Sequence, residues 1–295
     1  MKKHSCTSIV TYLKSIVTLI FFLFFMSNVT AQLQTSPLFT NGMVLQRETG
    51  ILVWGSADAE DTVSVSLNGE LSSSFADTDG NWMVSLPAMT AGGPYEMVIS
   101  NNKENLTRAN VYIGDVYIAA GQSNMEMTLS QADGGSAEAA AADNQTIREF
   151  KIPKTVSNEP VEDLPSASVW RPATSSYAGN FSAVGYYFTG DLQAEIGIPI
   201  GIINASYGGA RIEAFMSEEM LGFDETFVIL ANGEQERQPT LIYNAMINPM
   251  VKKLPFKGFL WYQGESNADT REDALAYGDL VGSDLLAVLF VRLKF

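Results

Sequence analysis

The chain has 295 residues, of which 33 are acidic and 18 are lysine or arginine, for a net charge of −15. That excess of acid argues against nucleic acid or an anionic membrane surface as a partner. The single histidine is His4 and the single cysteine is Cys6, so from residue 7 onward there is no disulfide, thiolate or imidazole metal site, and no cofactor is expected.

The first 31 residues have the pattern of a secretion leader. Lys2 and Lys3 give a basic start, Ile16 to Met26 is almost unbroken apolar sequence, and Val29-Thr30-Ala31 supplies the small residues of a cleavage site. The apolar run is short for a membrane span, so the expectation is cleavage after Ala31 and a secreted or periplasmic protein with no membrane attachment. An uncleaved anchor is the alternative. Cys6 precedes the apolar run and so is not a lipoprotein cysteine. The leader carries only basic charges, so its removal makes the protein more acidic still and suits neutral or weakly charged ligands.

Residues 32–108 read as a small all-β sandwich. Ile51-Leu52-Val53-Trp54 and Thr62 to Leu67 are β-forming runs, and Trp82 to Leu86 and Tyr95 to Ile99 continue the series. Turn signals separate them at Asn68-Gly69, Asp79-Gly80-Asn81 and Gly92-Gly93-Pro94. No cluster of catalytic residue types falls in this stretch, so a structural or docking role is expected.

From about residue 109 the pattern changes to alternating strands and helices. Val111 to Ala120, Pro199 to Ala205 and Phe256 to Tyr262 read as buried strands. Ala132 to Asp143, Ser182 to Glu195 and Leu241 to Asn248 read as helices. Such alternation implies a parallel sheet covered on both faces, which binds ligands beyond the carboxyl ends of its strands. Gly121-Gln122-Ser123, Ser206-Tyr207-Gly208-Gly209 and Gln263-Gly264-Glu265 each follow a strand, so the three turns are expected to meet at one edge.

Ser123 sits where a strand and a glycine turn into a helix. There its hydroxyl is a candidate nucleophile beside the backbone N–H groups of a helix start. A serine that merely caps the helix is the other reading. The pair Gly208-Gly209 brings a backbone N–H close to a substrate oxygen, or is an ordinary turn. The Gln263 amide is either a donor to a tetrahedral intermediate or a buried amide serving the backbone. Gln122, Asn124, Glu265 and Asn267 are candidate substrate contacts. Trp261 and Tyr262 stack on sugar faces or belong to the core, and Asn204 is equally open.

These residues carry a family resemblance. Gly114-Asp115-Val116-Tyr117 through Gly121-Gln122-Ser123-Asn124-Met125-Glu126 resembles the signature of sialate O-acetylesterase-type carbohydrate esterases, within the wider SGNH/GDSL hydrolase class. Ile202 to Gly209 with Ile212-Glu213-Ala214 is similar to their second block. Tyr243 to Ile247 followed by Gly258 to Asn267 is similar to the third, and Asn41 to Arg47 and Asp79 to Trp82 are similar to their β region. The resemblance runs from about residue 36 to about 279. It implies a three-layer αβα domain over 109–295 behind the β sandwich. It also implies hydrolysis of acetyl esters on a sugar, sialic acid or a plant-type glycan, through a serine acyl-enzyme. Ser123 would be the nucleophile, and the N–H groups of Ser123 and Gly209 with the Gln263 side chain would be the oxyanion donors.

The sequence departs from this pattern twice. Met216 to Leu241 is short where relatives carry a helical insertion. The Asp-x-x-His that the family places beyond the third block is absent, and after Leu280 an apolar tail loses the family pattern, as a frameshift or premature end would leave it. A serine without its base is a poor nucleophile, so impaired activity is expected. A non-catalytic carbohydrate-binding protein or a degenerate pseudo-esterase is the alternative.

Overall fold

Alternation of buried and exposed residues organises the first part of the chain, as strands with one wet face require. In the computed structural model, which describes residues 32–165, 168–222 and 238–268, every regular element before Ser123 is a strand. These are β1 (Gln34–Thr35), β2 (Val44–Gln46), β3 (Ile51–Ser56), β4 (Thr62–Leu67), β5 (Glu70–Phe75), β6 (Asn81–Leu86), β7 (Gly92–Ser100) and β8 (Asn105–Gly121). Val63, Val65 and Leu67 of β4 and Trp82, Val84 and Leu86 of β6 point inward, with exposed or half-exposed residues between them. The β4–β5 hairpin closes on Asn68 and Gly69, at φ 50° and 85°. Asn-Gly is favoured in such a two-residue turn because both positions need positive φ.

The expected leader, the segment after Gly222 and the tail from Asp269 onward lie outside the described residues. Among the described residues no helix is long and apolar enough to cross a membrane.

Strand β8 joins two kinds of pairing. Its first part runs antiparallel to β7, and Tyr112–Gly114 pair in parallel with β2. Its last residues are the centre of a parallel arrangement. After β8 come α1 (Ser123–Glu126), α2 (Gly135–Ala141), β9 (Asp143–Lys151), β10 (Trp170–Thr174), α3 (Ala183–Ile196) and β11 (Ile200–Ser206). Then follow α4 (Glu218–Leu221), a π-helical turn Tyr243–Ile247 continuing into α5 (Asn248–Val251), and β12 (Gly258–Tyr262). Strands β11 and β12 flank β8 in parallel, β9 is parallel to β11, and β10 closes the edge antiparallel to β9. The expected boundary at 108/109 thus falls inside one continuous strand.

Side chains from alternate positions fill the two faces of this sheet. Ala119, Ile202 and Leu260 pack with Met125 of α1 and with Val184 and Phe188 of α3, and Tyr117 meets Phe188 edge-on at 5.1 Å. Ile118, Ala120, Ile203 and Ala205 belong to the main core, together with Ile242, Ala245, Met246 and Met250. Each fully buried Leu, Ile or Phe contributes about 1.5–3 kcal/mol.

The three expected strands are all present, and the expected helix Ser182 to Glu195 is α3, with Ser182 as its N-cap and Gly197 in the left-handed conformation at its end. The expected helix Ala132 to Asp143 is shorter, because Asp143 already begins β9. Strands β9 and β10 were not anticipated. Polar residues hide β9: Arg148 and Glu149 are both buried, the former with its guanidinium over the Tyr112 ring and the latter hydrogen-bonded. The lone acid in β8, Asp115, is 1% exposed and receives Arg47 through Nε at 2.9 Å and Nη2 at 3.2 Å, and Gln46 Nε2 at 3.0 Å. It fastens β2 to the central strand.

Candidate functional site

Register places the three turns side by side. Gly121 pairs with Ser206 of β11 on one side and with Tyr262 of β12 on the other. The ladder continues one step further, with Tyr207 N–H donating to Gly121 O at 2.8 Å and Gln122 N–H to Tyr262 O at 2.9 Å. The convergence anticipated from sequence is therefore present. Gly121 has φ 141°, and a Cβ on it would lie 2.0 Å from the Tyr262 carbonyl oxygen. Only glycine lets β12 approach this closely before the chain turns.

Ser123 is the first residue of α1 and is exposed, while Gln122 holds the N-cap position without a side-chain capping bond. Ser123 is therefore not the capping serine of this helix. Among the described residues its hydroxyl has no hydrogen-bond partner, and its backbone N–H and that of Asn124 donate to no acceptor. Free N–H groups at a helix start beside an exposed hydroxyl can receive a developing negative charge. Gly209, at φ 82°, likewise has an N–H with no acceptor among the described residues.

Beneath this surface lies a buried polar network. Gln122, 3% exposed, accepts through Oε1 from Ser266 N at 3.0 Å, Gln263 Nε2 at 3.2 Å and Gly264 N at 3.4 Å. Gln263, 7% exposed, also directs Nε2 at the Ala210 carbonyl and Asn267 Oδ1, so its two N–H bonds face three acceptors. Asn267 accepts from Ile212 N at 2.9 Å and donates to Glu213 Oε2 at 2.9 Å. Gln122 and Asn267 thus face inward, whereas Asn124 donates to Glu265, which is exposed.

Asn204 lies two residues before the end of β11 and is engaged within the fold. Its Oδ1 receives Ser206 N and Oγ, and its Nδ2 donates to Glu149 at 3.0 Å. Burial pushes the Glu149 carboxyl above the usual carboxylate range, against the pull of the Ser182 N–H and the Asn204 amide. Trp261 packs edge-on against Phe215 at 5.2 Å, and it and Tyr262 flank buried core clusters, which favours the core reading of this pair.

Glu126, quoted in the first block without a role, receives Gly208 N–H on Oε2 at 2.7 Å and pairs with Lys154 Nζ through Oε1 at 2.6 Å. Its place three residues after Ser123, on the same short helix, was the available signal. Lys154 has no comparable signal, since it enters from the loop after β9. No group of three or more potential metal ligands occurs among the described residues.

A family model described as carbohydrate esterase, sialic acid-specific acetylesterase matches residues 113–286. Sialate O-acetylesterases of Mus musculus and Homo sapiens are each 32% identical to the chain, over 79% of it and over 52% and 49% of their own lengths. A crystal structure of a carbohydrate acetylesterase from Xanthomonas citri is 41% identical, with a TM-score of 0.76 over 83% of this chain and 54% of that one. The chain spans about half the length of the curated relatives it matches.

Proposed function

Because the chain belongs to the carbohydrate esterase, sialic acid-specific acetylesterase family, we propose that it is a secreted O-acetylesterase acting on an acetylated sugar through a serine acyl-enzyme. In this reading residues 32–108 form a β module and the remainder a three-layer αβα domain behind it. The observation that carries the proposal is the meeting of three strand ends at Gly121, which leaves the exposed Ser123 hydroxyl beside backbone N–H groups that have no acceptor among the described residues.

Ser123 Oγ attacks the acetyl carbonyl carbon, and the carbonyl oxygen becomes an oxyanion held by the N–H groups of Ser123 and Gly209. The backbone dipoles are fixed before the reaction, so they stabilise the charge without reorganising. Gln263 joins them by giving up one of its two 3.2 Å contacts, to Gln122 or to Ala210. Collapse of the intermediate releases the sugar hydroxyl and leaves acetyl on Ser123, which water then removes. Asn124 and Glu265, at the rim, contact the sugar, while Gln122 and Asn267 act from beneath by fixing the 263–267 turn.

Both steps need a group that takes the serine or water proton. Histidine occurs in this sequence only at His4, and among the described residues no base is hydrogen-bonded to Ser123. Hydrolysis of p-nitrophenyl acetate, with imidazole supplied as an external base, tests the reading. A rate above background that disappears in Ser123→Ala supports it, and equal rates in the two proteins refute it.

That the Ser123 hydroxyl has no hydrogen-bond partner among the described residues also favours a second reading, a carbohydrate-binding protein that keeps the cleft without turnover. Calorimetry with acetylated and de-acetylated sugars then gives binding by wild type and Ser123→Ala alike, with no product formed.

A further inference from the structure

We propose that Glu126 is a positioning residue for the oxyanion site, a carboxylate that ties the nucleophile helix to the Gly208-Gly209 turn, with Lys154 holding it in place. The proposal rests on the esterase reading of Ser123, but the contact itself can be tested without turnover.

Glu126 lies on α1, one helical turn after Ser123, and bridges to the turn after β11 by accepting Gly208 N–H at 2.7 Å. A hydrogen bond to a carboxylate is roughly twice as strong as one between neutral groups. It fixes the plane of the Gly208 peptide, and the next N–H is that of Gly209, the proposed second oxyanion donor. Any residue larger than glycine here would have to push the Glu126 carboxylate aside. A Cβ on Gly208 would lie 2.6 Å from Glu126 Oε2 and 3.8 Å from Ser123 Cα, so the carboxylate, the glycine backbone and the nucleophile residue are stacked against one another.

A carboxylate beside a site that must hold an oxyanion is electrostatically unfavourable unless it is balanced. Lys154 supplies the balance. Its ammonium pairs with Glu126 Oε1 at 2.6 Å and sits 5.1 Å from the centre of the Tyr207 ring, on the residue before Gly208. The cation thus contacts both elements that Glu126 joins. Its side chain is 42% exposed and that of Glu126 is 24% exposed, so its contribution is orientation and charge balance rather than a large stabilisation.

The test uses Glu126→Ala, Glu126→Gln, Lys154→Met and Gly208→Ala, read first by amide NMR. In Glu126→Ala and Gly208→Ala the Gly208 and Gly209 amide resonances move and their hydrogen exchange accelerates about tenfold or more. In Glu126→Gln, which keeps a carbonyl acceptor, most of the protection returns. Lys154→Met gives an intermediate effect. Acetyl-ester turnover with imidazole is the second readout: kcat falls roughly 10–100-fold in Glu126→Ala with KM little changed, since a displacement of about 1 Å costs on that order. Unchanged exchange at Gly208 and Gly209 in folded Glu126→Ala overturns the proposal. So does an equal loss in Glu126→Gln and Glu126→Ala. If wild type shows no Ser123-dependent turnover, the esterase reading falls, and the exchange data alone decide whether Glu126 orders the turn.

Discussion

Ser182 donates its hydroxyl to the Met125 carbonyl oxygen at 2.7 Å, linking the N-cap of α3 to the helix that carries Ser123. The Ser182 hydroxyl oxygen in turn accepts Gly185 N–H at 3.2 Å, so one buried hydroxyl caps a long helix and holds a short one. An isolated helix of four residues is not stable by itself. Its position is set by Ser182, by Met125 packed among Ala119, Ile202 and Leu260, and by the strand that precedes it.

Ser182→Ala therefore removes a cap and leaves a buried carbonyl with one partner fewer. The expected loss is about 1–3 kcal/mol of unfolding free energy, read from denaturant melts. Gly185 and Met125 amide signals should shift together. A loss within about 0.5 kcal/mol of zero, as for an ordinary surface change, would show that the two helices are held by other contacts.

Glu149 lies on the same network, accepting Ser182 N–H and Asn204 Nδ2 on one oxygen. Burial raises its carboxyl, so the folded protein holds this proton more tightly than the unfolded chain does. The stability linked to that proton is fully present below the unfolded value, about 4.3, and is lost as pH rises through the folded value. Glu149→Gln, which keeps an acceptor for both N–H groups, is expected to gain on wild type with rising pH over that window. Above the folded value the difference is constant. Parallel stability–pH curves for the two proteins would contradict this.

Asp115 supports β2 against β8 through Arg47 and Gln46, and the hydrogen bond to Asp115 raises the Arg47 guanidinium further above its ordinary value. Removing the carboxylate leaves Arg47 with Glu48 alone and the buried Gln46 amide with one acceptor fewer. Asp115→Ala is expected to cost about 1–3 kcal/mol, with the double change Arg47→Met, Asp115→Leu costing less than the single one. Additive effects in the double variant would show that the two residues are not coupled.

Gly121→Ala is expected to be among the most damaging single changes outside the chemistry. The added methyl would meet the Tyr262 carbonyl at 2.0 Å and demand a φ that alanine rarely adopts. Strand β12 must then withdraw from β8, carrying Gln263 with it. A cooperative melt at the wild-type temperature would contradict this.

Much of this was legible in the sequence for particular reasons. The second part of β8 and most of β11 and β12 are apolar on both faces, so Val111 to Ala120 and its two partners stood out, and the glycine-bearing turns after them gave the site. The family resemblance, resting on the residues around Ser123, Gly209 and Gln263, agrees with the family model and with the relatives. Strand β9 stayed hidden because its inward residues include Arg148 and Glu149, whose burial depends on partners distant in the chain. Glu126 and Lys154 were missed for a related cause. A contact between a helix and two loops has no periodicity to betray it, and an acid near a helix start is ordinarily only a charge complementing the dipole. The inward orientation of Gln122 and Asn267 likewise follows from three turns meeting, which no single stretch of sequence records.

The measurement that tests the central claim most directly is the site of acetylation. Wild type and Ser123→Ala are incubated with p-nitrophenyl acetate, digested and mapped by mass spectrometry. In the proposed mechanism acetyl is expected on the peptide carrying Ser123, at that residue, in samples quenched early with acid, and is expected to be absent from it in Ser123→Ala. Acetyl spread over surface lysines to the same extent in both proteins, with Ser123 unmodified, would contradict the account.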